Sequence, residues 1–112
     1  MKRLLYILLV LVPVGLFGKI TQQNVESLFQ AANKCYTEGN YAEAVKHYEA
    51  IISTGKTSAE LYFNLGNAYF KLNDIAHAIL NYERAYLLNP ADDDIAFNLE
   101  LARAYTTDKI EA

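Results

Sequence analysis

The clearest hydrophobic pattern in the chain lies in residues 59–90, where two amphipathic helices are predicted around a short polar break at residues 71–74. Each half carries residues suited to packing at the i, i+3, i+4 and i+7 spacing of one helix face. These positions are Tyr62, Leu65, Gly66 and Tyr69 in the first half and Ala78, Tyr82 and Ala85 in the second. Two such stripes joined by a short turn predict a helical hairpin.

A glycine inside the first predicted helix calls for a physical reason, because it costs about 1 kcal/mol relative to alanine. Close approach of the two helices supplies one. The small residues Gly66, Ala78 and Ala85 leave room for large aromatic rings. We therefore expect Tyr62, Tyr69 and Tyr82 to interlock with them.

This segment resembles the tetratricopeptide repeat (TPR), a 34-residue helix-turn-helix unit with large, small and aromatic residues at fixed offsets. With Ala59 as position 1, the eight signature positions are all filled in this chain. They are Tyr62, Leu65, Gly66, Tyr69, Ala78, Tyr82, Ala85 and Pro90. The resemblance implies an all-α solenoid of stacked helix pairs. It implies a binding role rather than a particular chemistry.

A weaker copy of the pattern occupies residues 25–58, one repeat length earlier, so the two predicted repeats are 25–58 and 59–92. The residues that fit are Leu28, Ala31, Ala32, Cys35, Ala44 and Tyr48, whereas Ile51 and Lys56 depart from the pattern. Gly39 is expected to end the first helix in a left-handed conformation, and Asn40 to cap the second with Glu43. Gly55 is expected to end that helix, and Thr57 to cap the next one with Glu60.

A last helix is predicted at residues 93–106, with two apolar stripes on nearly opposite faces. One stripe holds Ile95, Leu99 and Ala102, and the other holds Phe97, Leu101, Ala104 and Tyr105. In the repeats, the positions of Glu100 and Arg103 pack against the second helix. Because charged residues occupy them here, no second helix is expected to dock, and the last helix is predicted to be a capping helix. The first stripe is expected to cover the second repeat. The second then implies an incomplete chain, self-association or a ligand.

The resemblance also implies a concave groove, lined by defined positions of each first helix. Carried over residue by residue, the expected binding residues are Phe29, Gln30, Asn33, Tyr36, Phe63, Asn64, Asn67, Phe70, Lys71, Phe97 and Asn98, with Glu26, Glu60 and Asp94 beside them. Amides pair with a peptide backbone, and aromatic rings give contact area at low entropy cost. A peptide of a protein partner is therefore the expected ligand.

Two features of this lining qualify the expectation. The phenylalanines at Phe29, Phe63 and Phe97 recur every 34 residues and either line the groove or close the core between repeats. Relatives that clamp an acidic chaperone tail carry Lys or Arg where this chain has Phe29, Asp94 and Asn98. A clamp for a terminal carboxylate is therefore not expected.

The amino terminus carries a targeting pattern. A basic start at residues 1–3 precedes an apolar run at residues 4–17 and a small residue at Gly18. Fourteen residues of helix reach about 21 Å, less than the roughly 30 Å hydrocarbon slab. Residues 1–18 are therefore predicted as a signal peptide, with a retained anchor as the alternative. The chain is then expected to act in the periplasm or outside the cell, with residues 19–112 as the TPR domain.

Composition excludes several classes of function. The net charge of −3 over 112 residues gives no basic surface for nucleic acid. Residues 50–57 match a permissive phosphate-loop pattern, but they follow an amphipathic helix rather than a buried strand, so no nucleotide site is expected. The single cysteine, Cys35, is expected to pack as a small hydrophobic residue. His47 and His77 are not grouped with the cysteine or carboxylate ligands of a zinc site. The acidic residues 92–94 do not fit the ligand spacing of a calcium loop. We expect no enzyme, cofactor or metal.

The order of features along the chain resembles one subfamily more closely. A leader, two repeats, an acidic helix start and a final DKIE segment look like the amino-terminal TPR part of the BatE-type proteins of the Bacteroides aerotolerance operon. That resemblance implies an envelope adaptor that works with other membrane-bound Bat proteins. Members continue into membrane segments, so a truncated copy or a structural assembly module is the alternative interpretation.

Overall fold

The structure is a computed structural model that describes the backbone of residues 22–111 and the side chains of residues 24–106. It contains five α-helices in this range: α1 Gln22–Thr37, α2 Tyr41–Ser53, α3 Ala59–Lys71, α4 Ile75–Leu88 and α5 Asp93–Glu111. The prediction of an all-helical fold is confirmed over the described residues. The predicted signal peptide at residues 1–18 lies outside the described residues.

Each helix packs chiefly against its neighbours in chain order, as expected for stacked repeats. The first core lies between α1, α2 and α3, and the second between α4 and α5 with one face of α3. Buried side chains of the first core are Ala32, Ala44, Tyr48, Ile51, Leu61, Leu65 and Ala68; those of the second are Ile75, Ala78, Tyr82, Leu99 and Ala102. Helix α3 belongs to both cores and therefore joins them.

The close approach predicted for Gly66 is present between α3 and α4. A Cβ atom on Gly66 would lie 2.7 Å from two ring atoms of Tyr82, well inside contact distance. The Tyr82 ring is buried, with 2 % of its surface exposed. The glycine therefore lets this ring lie directly against the α3 backbone.

Left-handed residues end the helices at three turns, where αL geometry closes the last carbonyls. Gly39 follows α1 with φ 80°, and Gly55 follows α2 with φ 90°, as predicted for both. Asn73 takes the same role after α3, with φ 64°. Asparagine is among the few residues that tolerate this conformation.

The predicted capping box at Asn40 and Glu43 is wrong. Asn40 stands at the start of α2, but its side chain makes no capping hydrogen bond. Its backbone lies at φ −92° and ψ 69°, close to the φ −93° and ψ 77° of Asp74, which does cap its helix, so the dihedral angles alone do not explain the missing bond. The Glu43 carboxylate instead pairs with Lys46 at 3.2 Å.

The predicted cap at Thr57 is also wrong, by one residue. Ser58 has the extended backbone of an N-cap, φ −158° and ψ 161°, and its Oγ accepts a hydrogen bond from the Leu61 amide at 3.0 Å. Helix α4 is capped in a similar way by Asp74, whose Oδ1 accepts from the His77 amide at 3.3 Å.

Helix α5 separates its two apolar stripes as the pattern predicts. Ile95, Leu99 and Ala102 are buried, whereas Phe97 and Leu101 are exposed. Acidic residues begin the helix, as expected from the helix dipole. The helix continues past residue 106, the end predicted from the sequence.

Cys35 and His77 make ordinary packing and surface contacts. Cys35 is partly buried and packs against the first core, as expected for a small hydrophobic residue. His77 is exposed, pairs with Asp74 at 2.8 Å and stacks on the Tyr69 ring. None of the described helices is long and apolar enough to span a bilayer.

Candidate functional site: a concave trough with paired amides

A hydrogen-bonded triad joins the first repeat to the second. Asn33 on α1 accepts with its Oδ1 from the Tyr48 hydroxyl of α2 at 2.5 Å. The same oxygen accepts from Nδ2 of Asn64 on α3, at 3.3 Å. One amide oxygen thus ties together three successive helices.

The same triad recurs one repeat later. Asn67 on α3 accepts with its Oδ1 from the Tyr82 hydroxyl of α4 at 2.5 Å and from Nδ2 of Asn98 on α5 at 2.9 Å. In both triads the residues are 15 and 31 positions after the accepting asparagine. The stacked repeats therefore place equivalent side chains in equivalent contacts.

These contacts set the orientation of four side chains, Asn33, Asn64, Asn67 and Asn98, which we call the groove amides. An asparagine side chain accepts hydrogen bonds only through its oxygen, so Asn33 and Asn67 turn Oδ1 into the triads. Their Nδ2 donors, and the Oδ1 acceptors of Asn64 and Asn98, take no part in the two triads. Asn33 and Asn64 thus present one donor and one acceptor, and so do Asn67 and Asn98. A peptide unit offers one acceptor and one donor to match each pair.

The groove amides lie along two adjoining cavities of about 240 and 250 Å³. The first is lined by Asn33, Tyr36, Thr37, Tyr48, Asn64 and Asn67. The second is lined by Tyr36, Asn67, Phe70, Lys71, Tyr82, Asn98 and Leu101. Because Tyr36 and Asn67 line both, the cavities form one continuous trough with a polar floor and aromatic walls.

The tyrosine hydroxyls that hold the groove amides are protonated at neutral pH. Burial raises the pKa of Tyr48 to about 12, although the nearby Asn64 amide acts in the opposite direction. Burial also raises the pKa of Tyr82, again against the effect of an amide, that of Asn98. Both phenols therefore remain neutral donors well above physiological pH.

The structure gathers seven of the predicted groove residues around this trough: Asn33, Tyr36, Asn64, Asn67, Phe70, Lys71 and Asn98. Phe29 and Phe63 lie instead against the cores, each with its ring centroid 6.0 Å from that of Tyr48 or Tyr82. Phe97 is 65 % exposed and lines a separate cavity between α4 and α5. Gln30 donates to Glu26 on the exposed surface of α1.

The residues predicted to pack the second repeat occupy several environments. Leu65, Gly66, Ala78, Tyr82 and Ala85 are buried. Tyr62 is partly exposed, with the Arg84 guanidinium 5.8 Å from its ring centroid. Tyr69 is partly exposed, and Pro90 follows α4 on the surface.

Sequence reasoning missed the second role of two buried tyrosines. Tyr48 and Tyr82 were expected only as packing residues, yet their hydroxyls hold the groove amides. The signal was present as an asparagine followed 15 residues later by a tyrosine, in both repeats. Thr37 and Leu101 also line the trough and were not predicted there.

Comparison with known proteins agrees with this architecture. A TPR repeat model matches residues 32–73, and a tetratricopeptide repeat model matches residues 59–92. Together they cover more than half of the chain, which belongs to the tetratricopeptide repeat family. The second match has the same boundaries as the second repeat predicted from the sequence.

Individual relatives share the repeats rather than their whole length. The chain is similar to tetratricopeptide repeat protein 16 of Mus musculus, with 34 % identity over 59 residues, 53 % of this chain and 8 % of that protein. It is also similar to the Hsp70-Hsp90 organising protein of Plasmodium falciparum, with 32 % identity over 60 residues, 54 % of this chain and 24 % of the relative. The chain therefore corresponds to less than a quarter of each relative.

A solved structure shows the same fold. A chain of the CopN-Scc3 complex superposes with a TM-score of 0.75 at 16 % identity, over 83 % of this chain and 55 % of that one. At this identity the likeness concerns the fold alone. Within the described residues, no group of His, Cys, Asp and Glu is arranged to hold a metal ion.

Proposed function

We propose that the chain is a protein–protein interaction adaptor whose trough binds an extended segment of a partner protein. The observation that carries this proposal is the pair of triads that fix the groove amides as alternating donors and acceptors. Main-chain N–H and C=O groups are the matching partners, and every peptide has them. Tyr36 and Phe70 then provide surface for its side chains.

The lining of the trough carries little charge. Lys71 is the one charged residue among those that line the two cavities, and Glu26 and Glu60 line a separate cavity beside Lys56. An acidic chaperone tail would meet no pair of cations there. The name of the Hsp70-Hsp90 organising protein is therefore not a guide to this chain's partner.

The proposed test begins with random 12-residue peptides displayed on phage and selected on the purified chain. The Kd of an enriched peptide is then measured with Asn67→Asp, a substitution that keeps the triad acceptor but removes the Nδ2 donor. We expect at least tenfold weaker binding and an unchanged fold. Asn89→Asp, on the exposed end of α4, is the matched control and should bind normally.

Two outcomes would contradict the proposal. One is a selection that enriches no peptide on a chain that is folded by circular dichroism. The other is a set of selected peptides that bind Asn67→Asp and wild type equally well, which would place them elsewhere on the surface.

We also propose that the adaptor acts in the cell envelope. The basic start, the apolar run at residues 4–17 and Gly18 support export. Mass spectrometry of protein from fractionated cells tests this, with an amino terminus near residue 19 or 20 expected in the periplasm. An intact chain in the cytosolic fraction would contradict it.

A role in an aerotolerance-type membrane complex, as in BatE-type proteins, is the finer form of the proposal. It is supported by the order of leader, repeats and acidic helix start. Chemical cross-linking in intact cells, followed by mass spectrometry, should link the trough to membrane-bound envelope proteins. Cross-links to cytosolic proteins alone would contradict it.

A structural assembly role is the second candidate, favoured by the exposed apolar surface on α4 and α5.

A further inference from the structure

Among the described residues, α4 and α5 carry an exposed surface that is separate from the trough. A cavity of about 660 Å³ lies between α4 and α5. Leu87 is 80 % exposed there, Phe97 65 % and Tyr86 40 %. With the charged Glu100 and Arg103 of the same cavity, these residues form a surface that we call the end face.

In the two repeats, a second helix covers the corresponding face of the first helix. The Tyr48 ring packs on Phe29, and the Tyr82 ring packs on Phe63, both at a centroid distance of 6.0 Å. Phe97 occupies the equivalent position on α5. Among the described side chains, residues 24–106, none packs a ring on it in this way.

The end face is not built for another helix of the same type. The position held by Ala32 and Gly66 in the repeats is Glu100 on α5. Because the Tyr82 ring lies within contact distance of the Gly66 backbone, a glutamate at that position leaves no room for an equivalent tyrosine. Leu101 also replaces the asparagine that would accept from the tyrosine hydroxyl. A helix like α2 or α4 is therefore a poor occupant.

The cavity at the end face is lined by one cation and two carboxylates. Arg103 Nη2 donates to Glu83 on α4 at 2.9 Å, and Glu100 lies one helical turn before Arg103 on α5. When two copies of α5 meet antiparallel across a two-fold axis, Glu100 of each faces Arg103 of the other. Apolar Phe97 and Leu87 then lie beside these pairs in both copies.

Helix α1, the first of the described helices, does not offer a matching surface. The outward positions of α1 include Ser27 and Lys34, which are polar and exposed. On α3 the equivalent residues, Leu61 and Ala68, are buried against the preceding helix. Head-to-tail stacking would therefore place an apolar surface on a polar one, so a closed two-fold contact is favoured.

We propose that the end face binds the end face of a second copy of this chain, which forms a two-fold dimer with its troughs open. The proposal does not depend on peptide binding in the trough. The contact involves only a few apolar side chains on each copy, so it belongs to the small interfaces that bury less than about 1,200 Å². We expect a dimer Kd of roughly 1–100 μM, since such interfaces are transient.

Sedimentation equilibrium of the purified chain across 5–500 μM tests the dimer. The wild type should shift from the monomer mass to twice that mass over this range. Glu100→Arg places arginine opposite arginine, and Arg103→Glu places glutamate opposite glutamate, so each variant alone should weaken the dimer at least tenfold. An equal mixture of the two variants restores both opposite-charge pairs and should form a heterodimer.

Two controls separate this contact from unfolding and from other surfaces. Phe97→Ser should also weaken the dimer tenfold or more, whereas Leu72→Ser, exposed at the α3–α4 turn, should leave it unchanged. Far-UV circular dichroism checks that each variant is folded. A wild type that stays monomeric at 500 μM would overturn the proposal. So would association that Glu100→Arg and Phe97→Ser leave unchanged, because another surface would then be responsible.

Discussion

The hydroxyl of Tyr82 offers a sharp test of how the repeats are joined. Tyr82→Phe removes the hydroxyl but keeps the ring that lies against Gly66 and Phe63. The change deletes the hydrogen bond to Asn67 Oδ1, which still accepts from Asn98 Nδ2 at 2.9 Å. The perturbation is therefore confined to one contact of the second triad.

The expected loss is that of one neutral hydrogen bond, about 0.5–1.5 kcal/mol of unfolding free energy. It should not reach the cost of a stranded buried group, because the Asn67 oxygen keeps its second donor. For a domain of this size, 1 kcal/mol corresponds to a fall in Tm of about 4–8 °C. Tyr48→Phe in the first triad should behave in the same way.

Urea denaturation followed by far-UV circular dichroism measures the change, with Tyr86→Phe on the exposed surface as the control. The control should stay within about 0.5 kcal/mol of wild type. A double-mutant cycle of Tyr82→Phe with Asn98→Ala should give a coupling of about 0.5 kcal/mol or more, since both side chains donate to one oxygen. Additive effects, or a Tyr82→Phe variant as stable as wild type, would refute the triad as a structural link.

Three further predictions concern packing, capping and pH. Gly66→Ala should lower stability by about 1 kcal/mol despite alanine's helix propensity, because its Cβ meets the Tyr82 ring; urea denaturation that shows a more stable variant would contradict this. Ser58→Ala should cost about 1 kcal/mol and Thr57→Ala almost nothing in the same assay, and equal losses would argue against the Ser58 cap. Burial raises the pKa of Tyr48 above its unfolded value near 10 to about 12, so the folded state holds the proton longer and loses stability as pH rises between these values. Tyr48→Phe should flatten that loss in denaturation curves at pH 9–12, and an unchanged slope would contradict the assignment.

The helix pairs were predictable because a 3.6-residue stripe has few other ways to be buried. The stripe of Ile95, Leu99 and Ala102 in the sequence identifies the buried side of α5. The N-caps were not predictable to the residue. Thr57 and Ser58 offer the same hydroxyl chemistry, and only the backbone dihedral angles decide which of them reaches the Leu61 amide.

The trough was predictable in outline but not in detail. Repeat positions correctly indicated that Asn33, Asn64 and Asn67 would lie together. They did not show that the Tyr48 hydroxyl holds Asn33, or that the same Asn33 oxygen accepts from Asn64, because the repeat pattern specifies the tyrosine ring and not the direction of its hydroxyl. Phe29 differs for a related reason: its ring reaches the Tyr48 ring of its own repeat and packs there.

Peptide binding in the trough depends on the orientation of the groove amides, which side-chain ¹⁵N–¹H NMR observes directly. A phage-selected peptide is titrated into the labelled chain while the Nδ2 signals of Asn33 and Asn67 are followed, with Asn81 and Asn89 as references outside the trough. We expect the Nδ2 signals of Asn33 and Asn67 to shift and their protons to become protected from exchange, while the two reference signals do not change. A bound peptide that leaves both groove signals unchanged would contradict the central claim.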